Sequence, residues 1–184
     1  MRFILSSEHV RNTTVTNEHG QVVYRTDTPF KIGSRTTTVL KIRPNYADAD
    51  MRDQFAVLGA IQWHYIASSI FRFGGQEIQA NEFIPASGIL RRTRTFMGPD
   101  GRSYKWKLDF KVVVLYLNDG SKTEVARYHR RSLGIIGKKH DPYLEIFSHG
   151  EGILDVLILT FIYVEKLRMD KERNARRSAS GGGP

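Results

Sequence analysis

Residues 153–164, Ile-Leu-Asp-Val-Leu-Ile-Leu-Thr-Phe-Ile-Tyr-Val, decide the fold, because as a helix they leave no face for water. At about 100° per residue the ten large apolar side chains point in every direction, interrupted only by Asp155 and Thr160. A helix of this kind must be surrounded, by lipid or by protein. Twelve residues at ~1.5 Å each cover roughly 18 Å, well short of the ~30 Å hydrocarbon core of a bilayer. The expectation is therefore a helix enclosed by its own domain, with a hairpin or tail anchor as the competing reading. Ser148 and Glu151 match the S-x-x-E capping box and predict a helix start at Ser148, with the central helix over about 149–174. Asp155 falls in the first turn, where the helix dipole favours a carboxylate and an open mouth would leave it wet. Beyond Val164 the charged run from Glu165 to Arg173 predicts emergence into solvent, with Glu165–Met169 as the exit.

Working outward, most of the chain before this helix is punctuated like an antiparallel sheet. Turn signals recur at Glu18-His19-Gly20, Gly33-Ser34, Gly74-Gly75, Gly98-Pro99-Asp100-Gly101 and Asn118-Asp119-Gly120. Between them lie β-branched and aromatic runs, Val22–Tyr24, Thr36–Ile42, Phe55–Tyr65 and Val112–Leu117. The clearest strand is Ser103–Lys111, where Tyr104, Trp106, Leu108 and Phe110 alternate with polar residues at a period of two. Asp119-Gly120 predicts a two-residue turn pairing Val112–Leu117 with Lys122–Tyr128. Leu133–Gly137 and Tyr143–Phe147 supply the last strands before the helix. Many strands and one wholly apolar helix predict a closed or nearly closed antiparallel barrel filled by that helix, an arrangement that also removes sheet edges.

The chain has 184 residues and 40% hydrophobic content, enough for one domain, assigned to 1–174, with a flexible tail over 175–184. The closing Ser-Ala-Ser-Gly-Gly-Gly-Pro is a flexible end or an engineered scar. The absence of cysteine excludes disulfides, thiolate metal sites and cysteine nucleophiles. The opening twelve residues hold an apolar run too short for a signal-peptide core, so a cytoplasmic protein is expected. The net charge of +9 is concentrated in residues 91–147, which carry thirteen Lys/Arg against six Asp/Glu. Such a field favours phosphate-bearing lipid or nucleic acid, and serves equally as a solvated surface that maintains solubility.

The stretch Phe96-Met97-Gly98-Pro99-Asp100-Gly101-Arg102-Ser103-Tyr104-Lys105-Trp106-Lys107 resembles the F-x-G-x-D-G-x-x-Y-x-W-K signature of a fungal domain family of uncharacterised function. That family is similar in layout to the tubby C-terminal and LURP-one-related barrels. Asn17–Tyr24, Glu124–His129 and the apolar C-terminal helix fit the same layout, so the resemblance spans roughly residues 12–174. It implies a roughly twelve-stranded barrel around a central helix. Tubby-type relatives bind phosphoinositides and scramblase relatives act at membranes. The lipid-contacting positions of tubby have no residue-by-residue match here, so no site is carried over from them.

Strand arithmetic nominates a site. With Pro99-Asp100 at the centre of a two-residue turn, Arg94 opposes Lys105 and Arg92 opposes Lys107. These four would share one outward face, with Lys111 further along it. Opposed like charges repel, so a phosphate among them would relieve repulsion; a slip of one residue would move the set to the other face. Arg127, His129 and Arg131 extend the basic surface as a secondary patch. Tyr104 and Trp106 interleave with the lysines as in single-strand nucleic-acid binders, but alternation puts rings and cations on opposite faces, which favours core aromatics.

Other chemistry is weakly signalled. Gly134–Lys139 lacks the first glycine and the Ser/Thr of a Walker loop, and its Ile135-Ile136 pair suits a strand better than a KH-type loop. The six histidines show no metal-binding spacing, and His64 reads as a satisfied, half-buried strand residue. Asp48, Asp50 and Asp53 lack the glycine and closing glutamate of a calcium loop. No nucleophile elbow is present. The reading is a non-enzymatic module with no cofactor, metal site or transmembrane span. Its expected partner is an anionic phosphate group, foremost an acidic lipid headgroup at a membrane surface. The alternatives are a protein partner, and after that nucleic acid.

Overall fold

The computed structural model describes residues 1–30, 33, 35–43, 54–64, 66–134 and 139–180. Strands β1 (Arg2–Leu5), β2 (Thr13–Thr16), β3 (Val22–Asp27), β4 (Arg35–Arg43), β5 (Gln54–Trp63), β6 (Ile70–Phe73) and β7 (Gln76–Gln79) precede a single helical turn, α1 (Ala80–Phe83). Then follow β8 (Ala86–Ser87), β9 (Thr93–Met97), β10 (Ser103–Leu108), β11 (Val113–Leu117), β12 (Glu124–His129), β13 (Tyr143–Ile146), the short α2 (Ser148–Glu151) and the long α3 (Leu154–Ser180). The thirteen described strands form one sheet in the order β7-β6-β5-β4-β3-β2-β1-β13-β12-β11-β10-β9-β8. Every neighbouring pair is antiparallel, and the pairing of β1 with β13 joins the N-terminal and C-terminal meanders.

The outer strands β7 and β8 are not hydrogen-bonded to each other, so strand pairing does not close the sheet. Helix α1 connects them. Its Phe83 ring lies 5.0 Å from Phe73 of β6 and 6.2 Å from Phe96 of β9 between ring centroids. Both edges are short, and short edges limit the backbone left open to foreign strands.

The apolar segment is enclosed as its composition requires: residues 156–165 of α3 are all buried. Contacts reach the helix from several directions. Phe161 packs on Trp106 and Tyr128, Tyr163 stacks on Trp63 at 5.7 Å, and the rings of Phe71 and Tyr163 lie 5.1 Å apart. Thr160, one of the two polar interruptions, returns its hydroxyl to the Val156 carbonyl and accepts a bond from Trp106 Nε1 at 3.1 Å. Asp155, the other, accepts bonds from Tyr24 Oη at 2.8 Å and from Lys41 Nζ at 2.8 and 2.9 Å. Each buried aromatic contributes on the order of 1.5–3 kcal/mol relative to exposure, and Tyr104, Trp106 and Tyr128 are among the fully buried side chains.

Several expectations change. A helix does start at Ser148, as expected, but it is the short α2; the capping box does not form, since Phe147 is the N-cap and no side chain caps it, and α3 starts only at Leu154. The helix also runs past residue 174 to Ser180, so residues 175–180 are its last turns. The charged stretch after Val164 does not leave the core at once. Glu165 and Arg168 are 1% and 3% exposed and pair with each other through two 2.7 Å bonds. Strand β10 ends at Leu108, and Phe110, expected on the core face, is exposed. The β11–β12 hairpin exists, but Leu117 N–H donates to Thr123 O, so residues 118–122 form a longer loop than the expected two-residue turn. Leu133 and Gly134 are not in a strand; Ile135–Lys138 and the loop carrying Asp48, Asp50 and Asp53 lie outside the described residues. His64 is satisfied as expected, through Ser68 O and Gln62.

Candidate functional site

The turn between β9 and β10 determines which cations share a face. Gly98 N–H donates to Arg102 O and Gly101 N–H to Gly98 O, with Gly101 at φ 75°. Three residues, Pro99 to Gly101, therefore sit between the paired Gly98 and Arg102. This is the three-residue hairpin whose last position takes the left-handed conformation. The resulting register pairs Lys105 with Thr95, Trp106 with Arg94 and Lys107 with Thr93. It lies one residue from the predicted register, and a slip of one residue exchanges the faces. The proposed outward face of Arg92, Arg94, Lys105 and Lys107 is therefore not formed.

The same turn accounts for the signature residues. A Cβ on Gly98 would lie 2.5 Å from Asp100 Oδ1 and 2.7 Å from Tyr104 Cε2, so any other residue here would have to displace Asp100 or the Tyr104 ring. Asp100 accepts bonds from Arg102 N–H and from Tyr104 Oη at 2.7 Å. Partial burial opposes ionisation of Asp100, but the Tyr104 hydroxyl and local backbone N–H groups outweigh it and hold the carboxyl below its ordinary range. Burial and the facing carboxylate push the Tyr104 hydroxyl up to about 12. Phe96, Tyr104 and Trp106 are core, with the Phe96 and Tyr104 rings stacked at 5.4 Å. The motif is thus a turn and an inward aromatic row.

Lys105 and Lys107 stand on the outer face, where Lys107 Nζ lies 5.1 Å from the centre of the Tyr116 ring. Lys111 is exposed in the turn after β10. The secondary patch is compensated by acids: Arg127 pairs with Glu124, His129 with Glu145 at 3.1 Å and Arg131 with Asp141 at 3.5 Å. Burial pushes the His129 imidazole below its usual value, against the pull of Glu145.

Arg92 and Arg94 belong instead to a cluster at the end of the sheet where α3 leaves it. Arg94 lies opposite Trp106, on the inward side, with its guanidinium carbon 5.7 Å from the Tyr163 ring centre. One of its Nη atoms donates to Ile84 O at 3.3 Å, while the buried Nε has no partner among the described residues. Burial foremost, and then the charge of Arg91, pulls the Arg94 pKa down. Arg92 lies over the exposed Phe110 ring at 4.1 Å. Lys171 of α3 reaches across and donates to Leu90 O at 3.2 Å and Arg91 O at 2.9 Å. Those two bonds brace a backbone in which Leu90 and Arg91 hold φ of 67° and 51°. For residues with a Cβ such a conformation costs on the order of 1–3 kcal/mol each. The Lys171 pKa is lowered first by burial and then by Arg94, Arg92 and Arg91.

No carboxylate lies within ion-pair distance of Arg91, Arg92, Arg94 or Lys171 among the described residues. The nearby Glu172 is committed to Arg168, Arg130 and Arg176. Asp109 borders the same crevice and has no ion-pair partner among the described residues. Around these cations, Leu90 is 70% and Phe110 65% exposed. The sequence reading therefore found two of the four cations, and missed Arg91, Lys171 and the two apolar residues. Lys171 stands in the charged run after Val164, an end that signals tethering to acidic lipid only weakly, but it is about eighty positions from Arg91 and nothing local joins the two.

Among the described residues no group of three or more His, Asp or Glu is placed to hold a metal ion, and no helix is long and apolar enough to cross a membrane. No curated protein and no solved structure matches the chain. A family model matches residues 8–170. The signature turn, the core it anchors and Arg91, Arg92 and Arg94 of the cationic end lie within that matched span, with Lys171 one residue beyond it, and the chain belongs to the family of unknown function DUF6593.

Proposed function

We propose that this domain is a binding module for anionic phosphate groups, and that its ligand is the headgroup region of acidic lipids at a membrane surface. The observation that carries the reading is the gathering of Arg91, Arg92, Arg94 and Lys171 with no acid paired to them among the described residues. Burial first, and then the charges of Arg94, Arg92 and Arg91, lower the Lys171 pKa, and a phosphate among the cations relieves their mutual repulsion. Leu90 and Phe110 project beside the cations, which suits an interface where apolar groups enter the acyl boundary and Lys/Arg meet headgroups. The tubby-like layout read in the sequence supports the same assignment, since relatives of that layout meet phosphoinositides. In this reading the sheet is a barrel around α3, its seam between β7 and β8 filled by α1. The protein then works peripherally at the cytoplasmic leaflet, where anionic lipids supply the field.

Each Lys or Arg near an acidic surface contributes about 1 kcal/mol, so the double substitution Arg91→Ala/Arg92→Ala should weaken vesicle binding about thirtyfold. The assay is co-sedimentation with phosphatidylserine-containing vesicles at low and raised salt, with pure phosphatidylcholine as the reference. Binding should fall steeply with ionic strength. Lys105→Ala/Lys107→Ala should bind nearly as the parent does, since those side chains occupy another face. Unchanged binding by the Arg91/Arg92 variant would refute the site. Preference for oligonucleotides over vesicles would reassign the cluster to nucleic acid, and binding to neither would favour a protein partner.

A further inference from the structure

At the opposite end of the molecule, where α3 begins, a cleft of about 770 Å³ opens into the side of the domain. Its position follows from the topology. One wall comes from β5 and the β6–β7 hairpin, the other from α1 and the β9–β10 turn, and the junction of α2 and α3 forms the floor. These are the two sides of the seam that strand pairing leaves open, where Phe83 bridges Phe73 and Phe96. The volume lies within the roughly 300–1,000 Å³ typical of small-molecule sites. Its apolar surface comes from Leu58, Phe73, Phe83, Met97, Leu154 and Leu159.

The charge at the cleft selects the ligand. Among the described residues Lys41 is the one cation lining it, and its ammonium is held by both carboxylate oxygens of Asp155, which also accepts the Tyr24 hydroxyl. Glu151 lines the same cleft, is exposed, and has no cation within ion-pair distance among the described residues. Among the described residues, two carboxylates against one committed ammonium leave the lining net negative. An anionic ligand would meet Glu151 uncompensated; an ammonium or hydroxyl would find an acceptor there.

We infer that this cleft binds a small amphiphile, its apolar body between Phe73, Phe83 and Leu159 and its ammonium or hydroxyl donor at Glu151. The site is separate from the cationic end and does not depend on the lipid-surface reading. Gly152 provides a direct probe. It lines the cleft, its backbone is right-handed helical (φ −73°, ψ −12°), and a Cβ there would meet nothing within 4 Å. Gly152→Trp therefore places a side chain at the cleft without backbone strain.

The experiment is a fluorescence titration of the full chain with the neutral probe phenylnaphthylamine, followed by displacement with decylamine and with decanoate below their micellar concentrations. The parent should bind one probe, and decylamine should displace it about fivefold better than decanoate, the equivalent of one partly exposed ion pair. Glu151→Gln should bring the two competitors to parity. Gly152→Trp should lose the probe while retaining its thermal melt and its vesicle binding; Met97→Trp, at the exposed lip, serves if the first variant melts early. Failure of the parent to bind the probe, full binding by both filled variants, or a preference for decanoate would overturn the inference. A parent that binds the probe but not the vesicles would count against the cationic end alone.

Discussion

Replacing Arg168 by methionine isolates the largest electrostatic risk in this fold. The Arg168 guanidinium donates twice to Glu165 at 2.7 Å, to Phe110 O at 2.8 Å and to Glu172 at 2.8 Å. Both members of the Glu165–Arg168 pair are almost wholly buried. Arg168→Met keeps most of the side-chain volume but leaves the Glu165 carboxylate in the core without its main partner. Breaking a buried pair in this way costs about 3–5 kcal/mol. At roughly 2–4 °C per kcal/mol for a domain of this size, the melting temperature should fall by about 6–20 °C. Burial already raises the Glu165 pKa against the opposing pull of Arg168, and losing the arginine raises it further. A carboxyl whose folded-state pKa exceeds its unfolded value is protonated preferentially in the folded chain. Stability is then lost as pH rises from the unfolded pKa through the folded one. The deficit of Arg168→Met should accordingly be larger at pH 7 than near pH 5 in urea denaturation. The double variant Glu165→Gln/Arg168→Met removes the stranded charge and should recover most of the loss. A single-variant cost below about 1 kcal/mol, or a double variant no better than the single, would refute the reasoning.

Two further outcomes test the signature turn. Gly98→Ala forces a Cβ against the Tyr104 ring and Asp100, and should destabilise by about 1–3 kcal/mol in thermal or urea unfolding. Asp100→Asn removes a carboxylate whose pKa is depressed in the folded state. The contribution of that carboxylate is present above the ordinary carboxyl pKa and is lost as pH falls through the depressed value. The stability gap between parent and Asp100→Asn should therefore be widest at neutral pH and narrow toward pH 3. A gap that does not change with pH would mean the Asp100 charge contributes nothing to the turn.

The local periodicities in the chain carried much of this architecture. A segment apolar on all sides can only be enclosed, and residues 156–165 are enclosed. A period of two placed Tyr104 and Trp106 inward and the intervening lysines outward, as the structure has them. Pro99-Asp100-Gly101 marked a hairpin, but the same letters are compatible with two-residue and three-residue turns. Only the observed hydrogen bonds of Gly98 choose the longer one. That single residue carried Arg94 from the expected outer face to the inner side beside Tyr163. The Glu165–Arg168 pair, at a spacing of three, is in sequence indistinguishable from a surface helix pair; its burial depends on how far the sheet extends along α3.

Side-chain alternation and helical amphipathicity repeat within a few residues, so the chain determined by itself that there would be a buried helix, strands with one wet face, and a basic excess after residue 90. Register, the open seam between β7 and β8, and the meeting of Lys171 with Arg91 are properties of contacts between distant segments. Their energies are sums over the whole packed sheet, and no window of sequence contains them. The cationic end and the cleft at the start of α3 were therefore decided only when the sheet wrapped the helix.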